Sequence, residues 1–471
     1  MYKIFFSTFQ PRIVLVIILA TLCFSSLLSP ATPQALAQSA PSVALFGTDI
    51  RTVSGSGYHP LVRSADPTVD PVSILIDKAS AASTNWARYE VTWARIQPSK
   101  TSWDTNLVIQ YKKDLQRIMS KGITPIVLLE GTPSWATSSA VNSWAFPPTN
   151  TTDLTDFISR LMTEFTGTAV GGFSINPTYW QIWNEPDLNG VPSTDYYNKL
   201  LKPAATTIRA KNGSAKIILA GLALNTSAAN CTSGSFLDCI MGFDNSVYDI
   251  IDYHSYADWN VDPTSDWDLF NNGEWKPWGG GIVGKARYIR SLLAAHSLNK
   301  PLIMGEVGLR CTNCATSSTF LGDNTIAGDQ ANFVIRAYTR AAAEGLLASH
   351  WYAMGYGEFD NTDLLTTTTP QNNTLPPPPI ERNAYKALKF FAGKLKGATY
   401  AGSLSSGIVE GYRFCKASTE YRVYWTKASS RIVPLTIPTN AVRYNAIGNS
   451  HNSSATFDPL ITETVLPATC V

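Results

Sequence analysis

Charge is what this chain has least of. Charged residues make up 15% of 471, and the 37 basic and 35 acidic side chains nearly cancel, to a formal +2. Such a balance supplies no basic face for phosphate backbones or anionic lipid, so nucleic acid is not expected as a partner. Long apolar runs are missing beyond the N-terminus. No later segment approaches the ~18 uninterrupted apolar residues of a membrane span. No second C-x-x-C accompanies Cys311 to Cys314 to complete a zinc site. No glycine-rich turn follows the first strand-like run, which speaks against an open dinucleotide-binding sheet. The expectation is a chain that works without metal or cofactor.

What is present is a globular composition, 44% apolar, long enough for one large domain and a small one. At the N-terminus, Lys3 and Arg12 precede the apolar run Ile13 to Leu28, and Ala35-Leu36-Ala37 offers an A-x-A cleavage pattern. Residues 1–37 therefore read as a secretory leader, and the mature protein as secreted, extracellular or periplasmic, with no membrane segment. Cleavage would remove Lys3 and Arg12, leaving the net charge near zero, and would also remove Cys23. Six cysteines then remain, and an even count in a secreted chain suggests disulfides. Proximity in sequence pairs Cys231 with Cys239, Cys311 with Cys314, and Cys415 with Cys470, one of several possible connectivities.

From Ser42 to Leu395, apolar strand-like runs alternate with amphipathic helical ones. The strand runs begin at Val43, Asn85, Thr124, Tyr179, Ala215, Tyr248, Pro301 and Leu346. Eight strands, apolar on both faces and each followed by a helix, predict a closed parallel (β/α)8 TIM barrel over 38–395. Beyond Lys396 the pattern alternates with period two, which predicts a small, antiparallel, sandwich-like β domain over 396–471.

In such a barrel, functional side chains sit at the C-terminal ends of strands. Those ends carry Arg88 (second), Asn184 and Glu185 (fourth), His254 and Tyr256 (sixth), Glu306 (seventh) and Trp351 (eighth). Two glutamates at one mouth suit glycosidic cleavage: one carboxyl protonates the leaving oxygen and the other attacks the anomeric carbon. Apolar neighbours such as Trp183 and Pro186 favour Glu185 as the acid. Arg88 and Tyr256 can donate to Glu306 and keep it ionised as nucleophile. Asn184 can meet a sugar 2-hydroxyl, and Trp351 offers a flat face. Each residue has a plainer use taken alone. Glu306 could be a salt-bridge partner, Arg88 could pair with Glu90, and His254 and Trp351 could be core. Their joint placement carries the chemistry.

The stretches "YWQIWNEPDL" and "PLIMGEVGL" resemble the acid/base and nucleophile motifs of the clan A retaining glycoside hydrolases. "WARYEVTWARIQPSKTSWD", "LLEGTPSWAT" and "DYHSYAD" are similar to that clan's second-, third- and sixth-strand regions. The closest resemblance is to family 39 and its relatives, with family 5 next. It implies a β-glycosidase acting by double displacement on an oligo- or polysaccharide, with Glu185 as acid/base and Glu306 as nucleophile. Arg88, Asn184, His254, Tyr256 and Trp351 would support them. A non-catalytic carbohydrate- or cell-wall-binding protein on the same barrel is the alternative. Transglycosylation is another, and Trp135, Trp259, Trp275 and Trp278 are candidate acceptor platforms for it. Gly279 to Lys285 has phosphate-loop spacing, but Ala286 stands where Ser or Thr would hold magnesium, and no strand precedes it.

Overall fold

Eight short apolar strands close into a ring. In the computed structural model they are β1 (Phe46–Ile50), β2 (Trp86–Thr92), β3 (Thr124–Glu130), β4 (Tyr179–Asn184), β5 (Lys216–Leu222), β6 (Ile250–Asp258), β7 (Leu302–Arg310) and β8 (Ala348–Trp351). Each pairs in parallel with the next, and β1 pairs with β8 through Phe46 and Ser349 to complete the barrel. The strands are buried along almost their whole length, because helices cover the outer face and side chains fill the inner one. The structure describes residues 42–50, 71–138, 146–224, 234–259, 266–268, 273–311, 326–355, 359–366, 378–427, 435, 437–450, 460–466 and 470. The expected leader, Cys231 and Cys314 lie outside them. Among the described residues no helix is long and apolar enough to cross a membrane.

The helices start where the sequence offers caps. Asp104 accepts from the Leu107 amide ahead of Thr105–Ser120, and Asn150 accepts from the Thr152 amide ahead of Thr151–Thr166. The helical run after β4 is less regular than its periodicity suggests. It widens to a π-turn over Tyr196–Leu201 before continuing as Lys202–Lys211. Pro203 lies at that junction, and a proline there has no amide to give to the regular ladder. A further helix, Pro71–Ala81, precedes β2.

The C-terminal region corrects the sandwich expectation. Its described strands form a single five-stranded antiparallel sheet, ordered Thr399–Ser403, Val409–Lys416, Thr419–Thr426, Leu460–Val465, Val442–Tyr444. Among the described residues, helices pack against this sheet. Phe390 of Asn383–Leu395 packs against Tyr444, and Lys394 pairs with Glu463. On the helix Ile326–Ala343, Arg340 reaches Glu410 of the sheet at 2.8 and 2.9 Å, and also Asp266 and Asp268 from the connection after β6. Arg340 is buried, with its guanidinium 5.4 Å from the Trp425 ring. Cys415 and Cys470 form the expected disulfide. Cys239 and Cys311 are each in a disulfide as well.

Candidate active site

Strand register decides which side chains meet at the barrel mouth. On β6, Asp252, His254 and Tyr256 share one face by the two-residue period. Pairing with β7 sets His254 opposite Glu306 and Tyr256 opposite Gly308. Across the ring, β4 ends at Asn184, and Glu185 follows with its amide donating to the Gly221 carbonyl at 2.8 Å. Glu185, Glu306 and His254 each offer a side-chain atom to one point, and those atoms all lie within 4.8 Å of one another.

Glu306 is held by two donors. Arg88 donates to Oε1 at 2.7 Å and Tyr256 donates to Oε2 at 2.5 Å. The guanidinium also reaches Asp49 (2.8 Å), Gln181 (2.7 Å) and Asn184 (2.6 Å). Burial works against the charge on Arg88, but Glu306 and Asp49 prevail and raise its pKa. Burial, then the anion of Glu306, pushes the Tyr256 phenol well above its usual range, so it remains a donor. Both groups stabilise an ionised Glu306.

Glu185 is shaped by backbone as well as neighbours. Its φ is 44° and that of Trp183 is 75°, both in the left-handed region that non-glycine residues seldom occupy. Such strain clusters at functional sites. The Glu185 side chain is 20% exposed against 8% for Glu306, so it is the more open of the two to an entering group. His254 Nδ1 lies 2.8 Å from Glu185 Oε1 and 3.6 Å from Glu306 Oε2. Burial opposes protonation of this imidazole, but Glu306 and Glu185 outweigh it and raise its pKa. Nδ1 therefore tends to carry a proton and donate it toward Glu185.

Beneath the glutamates lies a buried polar floor that sequence reading missed. Gln181 donates to Asp252 Oδ2 at 2.6 Å, and Asp252 also accepts from the Gly305 amide. Burial raises the Asp252 carboxyl to about 6, with His254 and Arg88 pulling it back. Two glycines make the room. A Cβ at Gly221 would stand 2.1 Å from His254 Nε2, and one at Gly305 would stand 2.0 Å from Asp252 Oδ2. The available signal was a polar residue two before His254 in an apolar strand, "IIDYH", which shares the histidine's face.

Several expected substrate contacts are placed differently. Arg88 and His254 are each 1% exposed, and they touch the glutamates from below. Trp351 is fully buried, its indole donating to the Thr362 carbonyl at 2.7 Å and packing edge-on to Phe333. It offers no face, because the eighth strand turns it outward into the helix layer. Trp275 is buried too, whereas Trp278 is 44% exposed and Trp135 and Trp259 are half-buried. Trp135 is fixed by donation to the Gln97 carbonyl. Asn184 has its acceptor end engaged by Arg88, which leaves the amide nitrogen as a donor for a hydroxyl. Glu185, His254 and Glu306 are also the one group among the described residues with metal-ligand potential. The Arg88 charge 2.7 Å from Glu306 opposes a second cation there.

Residues 53–335 match the family model described as Cellulase (glycosyl hydrolase family 5). No curated protein matches the chain. Among solved structures, a family 39 glycoside hydrolase from the gut symbiont Bacteroides cellulosilyticus WH2 is similar, with a TM-score of 0.60 at 16% identity over 89% of this chain and 80% of that one. A glucosidase from Croceicoccus marinus has a TM-score of 0.54 at 12% identity, covering 87% and 80%. A family 30 endoxylanase from Clostridium papyrosolvens C71 has a TM-score of 0.54 at 11% identity, covering 91% and 97%. At these identities the structural likeness speaks for the fold.

Proposed function

The chain belongs to the cellulase family, glycosyl hydrolase family 5 of the clan A glycoside hydrolases, and from that premise we propose that Glu185 and Glu306 cleave a β-glycosidic bond with retention of configuration. The clan resemblance of the strand-end motifs holds. The matching family is the one those motifs placed second, and a family 39 enzyme is among the similar folds.

The observation that carries the mechanism is that one carboxylate oxygen of Glu185 lies within 4.8 Å of one of Glu306. Inverting enzymes need roughly 6.5–9.5 Å to seat a water between their carboxyls, while retaining enzymes hold them about 5–5.5 Å apart. In the first step Glu306 attacks the anomeric carbon, the bond to the leaving oxygen breaks, and Glu185 gives that oxygen a proton. In the second step Glu185 takes a proton from water. The water oxygen bonds to the anomeric carbon, and the bond to Glu306 breaks. Arg88 and Tyr256 stabilise Glu306 most when it is charged, so they favour its departure in this second step. Asn184 donates to the 2-hydroxyl, a contact that strengthens toward the transition state.

The substrate in this reading is a neutral β-linked oligo- or polysaccharide, consistent with the sparse and balanced charge. Secretion after cleavage near Ala37 belongs to the same proposal and rests on the leader pattern. The test is a panel of aryl β-glucosides, xylosides, mannosides and galactosides, with the first-formed anomer followed by NMR. A β-anomer should appear first, and Glu306→Gln should lose nearly all turnover. An α-anomer formed first, or unimpaired turnover in Glu306→Gln, would overturn the assignment.

A further inference from the structure

The run Gly279 to Lys285, set aside as a phosphate loop, has another use. It enters the helix Gly280–Ala295, from which Lys285 reaches the barrel mouth. The side chain is buried, and Nζ donates to the carbonyls of Ala223 at 2.7 Å and His254 at 2.9 Å. The Trp275 ring lies 5.9 Å from Nζ. Burial lowers the ammonium pKa to about 8, against the pull of Asp187, Glu185, Asp268 and Glu274.

Asp187 grips the same turn from its other side. Its carboxylate accepts from the amides of Ala223 at 3.2 Å and Leu224 at 2.7 Å. Leu224 is held at a φ of 55°, a left-handed conformation that a leucine rarely adopts unsupported. The turn after β5 is thus held by its amides through Asp187 and by a carbonyl through Lys285.

Two of the supports of Glu185 run through this grip. Its main chain is tied to β5 through the Gly221 carbonyl, two residues before the clamped turn. Its side chain is tied to His254 Nδ1, and the His254 carbonyl is the second acceptor of Lys285. One ammonium therefore joins the strand under the Glu185 backbone to the strand that carries its imidazole partner. We propose that Lys285, with Asp187, is a positioning pair that keeps the Glu185 carboxyl aligned on the leaving oxygen. The inference rests on Glu185 being the acid/base catalyst.

A merely structural lysine would affect all substrates alike, in proportion to the folded fraction. A positioning lysine affects the proton transfer. The experiment compares Lys285→Met, Lys285→Arg and Asp187→Asn with wild type on phenyl and 2,4-dinitrophenyl β-glycosides of the sugar that wild type accepts. The phenyl leaving group needs its proton and the dinitrophenolate does not. In Lys285→Met, kcat/KM should fall about tenfold further on the phenyl glycoside than on the dinitrophenyl one. Sodium azide should then accelerate turnover of the dinitrophenyl substrate. Azide bonds to the anomeric carbon, the bond to Glu306 breaks, and a β-glycosyl azide is released. Lys285→Arg should recover part of the phenyl activity. Equal loss on both substrates, or no loss in a folded protein, overturns the clamp. Should Lys285→Met not fold, the same ratio is read in Asp187→Asn. A Glu185→Gln control separates the two readings. With no leaving-group split in that control, the acid/base assignment falls and the clamp with it. With a split there and none in the clamp variants, only the clamp falls.

Discussion

Replacing Gly221 with alanine adds one methyl group and tests how Glu185 is held. The new Cβ would stand 2.1 Å from His254 Nε2 and 2.7 Å from Cε1. Ordinary contact is ~3.5 Å, so the ring must withdraw by about 1.4 Å. Such a shift disturbs the contact of Nδ1 with Glu185 Oε1, now 2.8 Å. A hydrogen bond to a charged group contributes about 1.5–3 kcal/mol, so its full loss from the transition state would slow turnover ~10- to 150-fold. Overpacking should cost a further ~1–3 kcal/mol of stability. The assay is kcat/KM on phenyl and dinitrophenyl β-glycosides beside denaturant unfolding of Gly221→Ala, His254→Ala and the double variant. Removing the imidazole vacates the space, so the double variant should be more stable than the two single costs predict, by about 1 kcal/mol or more. Additive stabilities, or wild-type turnover of the phenyl glycoside by Gly221→Ala, would refute the reasoning.

Two further outcomes follow from other groups. The His254 pKa is raised in the fold, so its charged pairing stabilises fully below about pH 6.5 and fades as pH rises through the higher folded value. The melting temperature of wild type should exceed that of His254→Asn most at mildly acid pH, and a gap that stays constant through neutrality contradicts this. Cys415 and Cys470 close a loop with a sequence separation of 55, so Cys415→Ser should lose about 4 kcal/mol on the chain-entropy account. Chemical unfolding under oxidising conditions measures it, and an unchanged midpoint would mean that the loop is already restrained when unfolded.

The barrel was legible because its signal is local. Every strand is an apolar run a few residues long, and each of the eight overlaps a stretch that the alternation marks, although β2, β6 and β7 run one or two residues beyond. The glutamates were legible because strand ends in a parallel ring share one mouth. The floor under them was not, because it depends on which inward side chains meet across the ring. Arg88 touches Asp49, Gln181, Asn184 and Glu306, from three other strands. No single-strand pattern carries that meeting. The glycines were equally silent, since Gly221 and Gly305 matter for the volume they leave to His254 and Asp252. Trp351 was misplaced for a related reason. A strand-end aromatic reads the same whether it faces the mouth or the helices, and the fold sends it to the helices.

The Arg340 cluster bears on whether the barrel is a portable module. Its guanidinium lies on the helix between β7 and β8, yet one of its carboxylates, Glu410, arrives only after the last barrel helix has ended at Leu395. A gene fragment cut at that apparent seam would strand a cation in the interior with part of its counter-charge left behind. Swapping this barrel onto a different scaffold therefore means moving the trailing sheet with it, as one inherited piece.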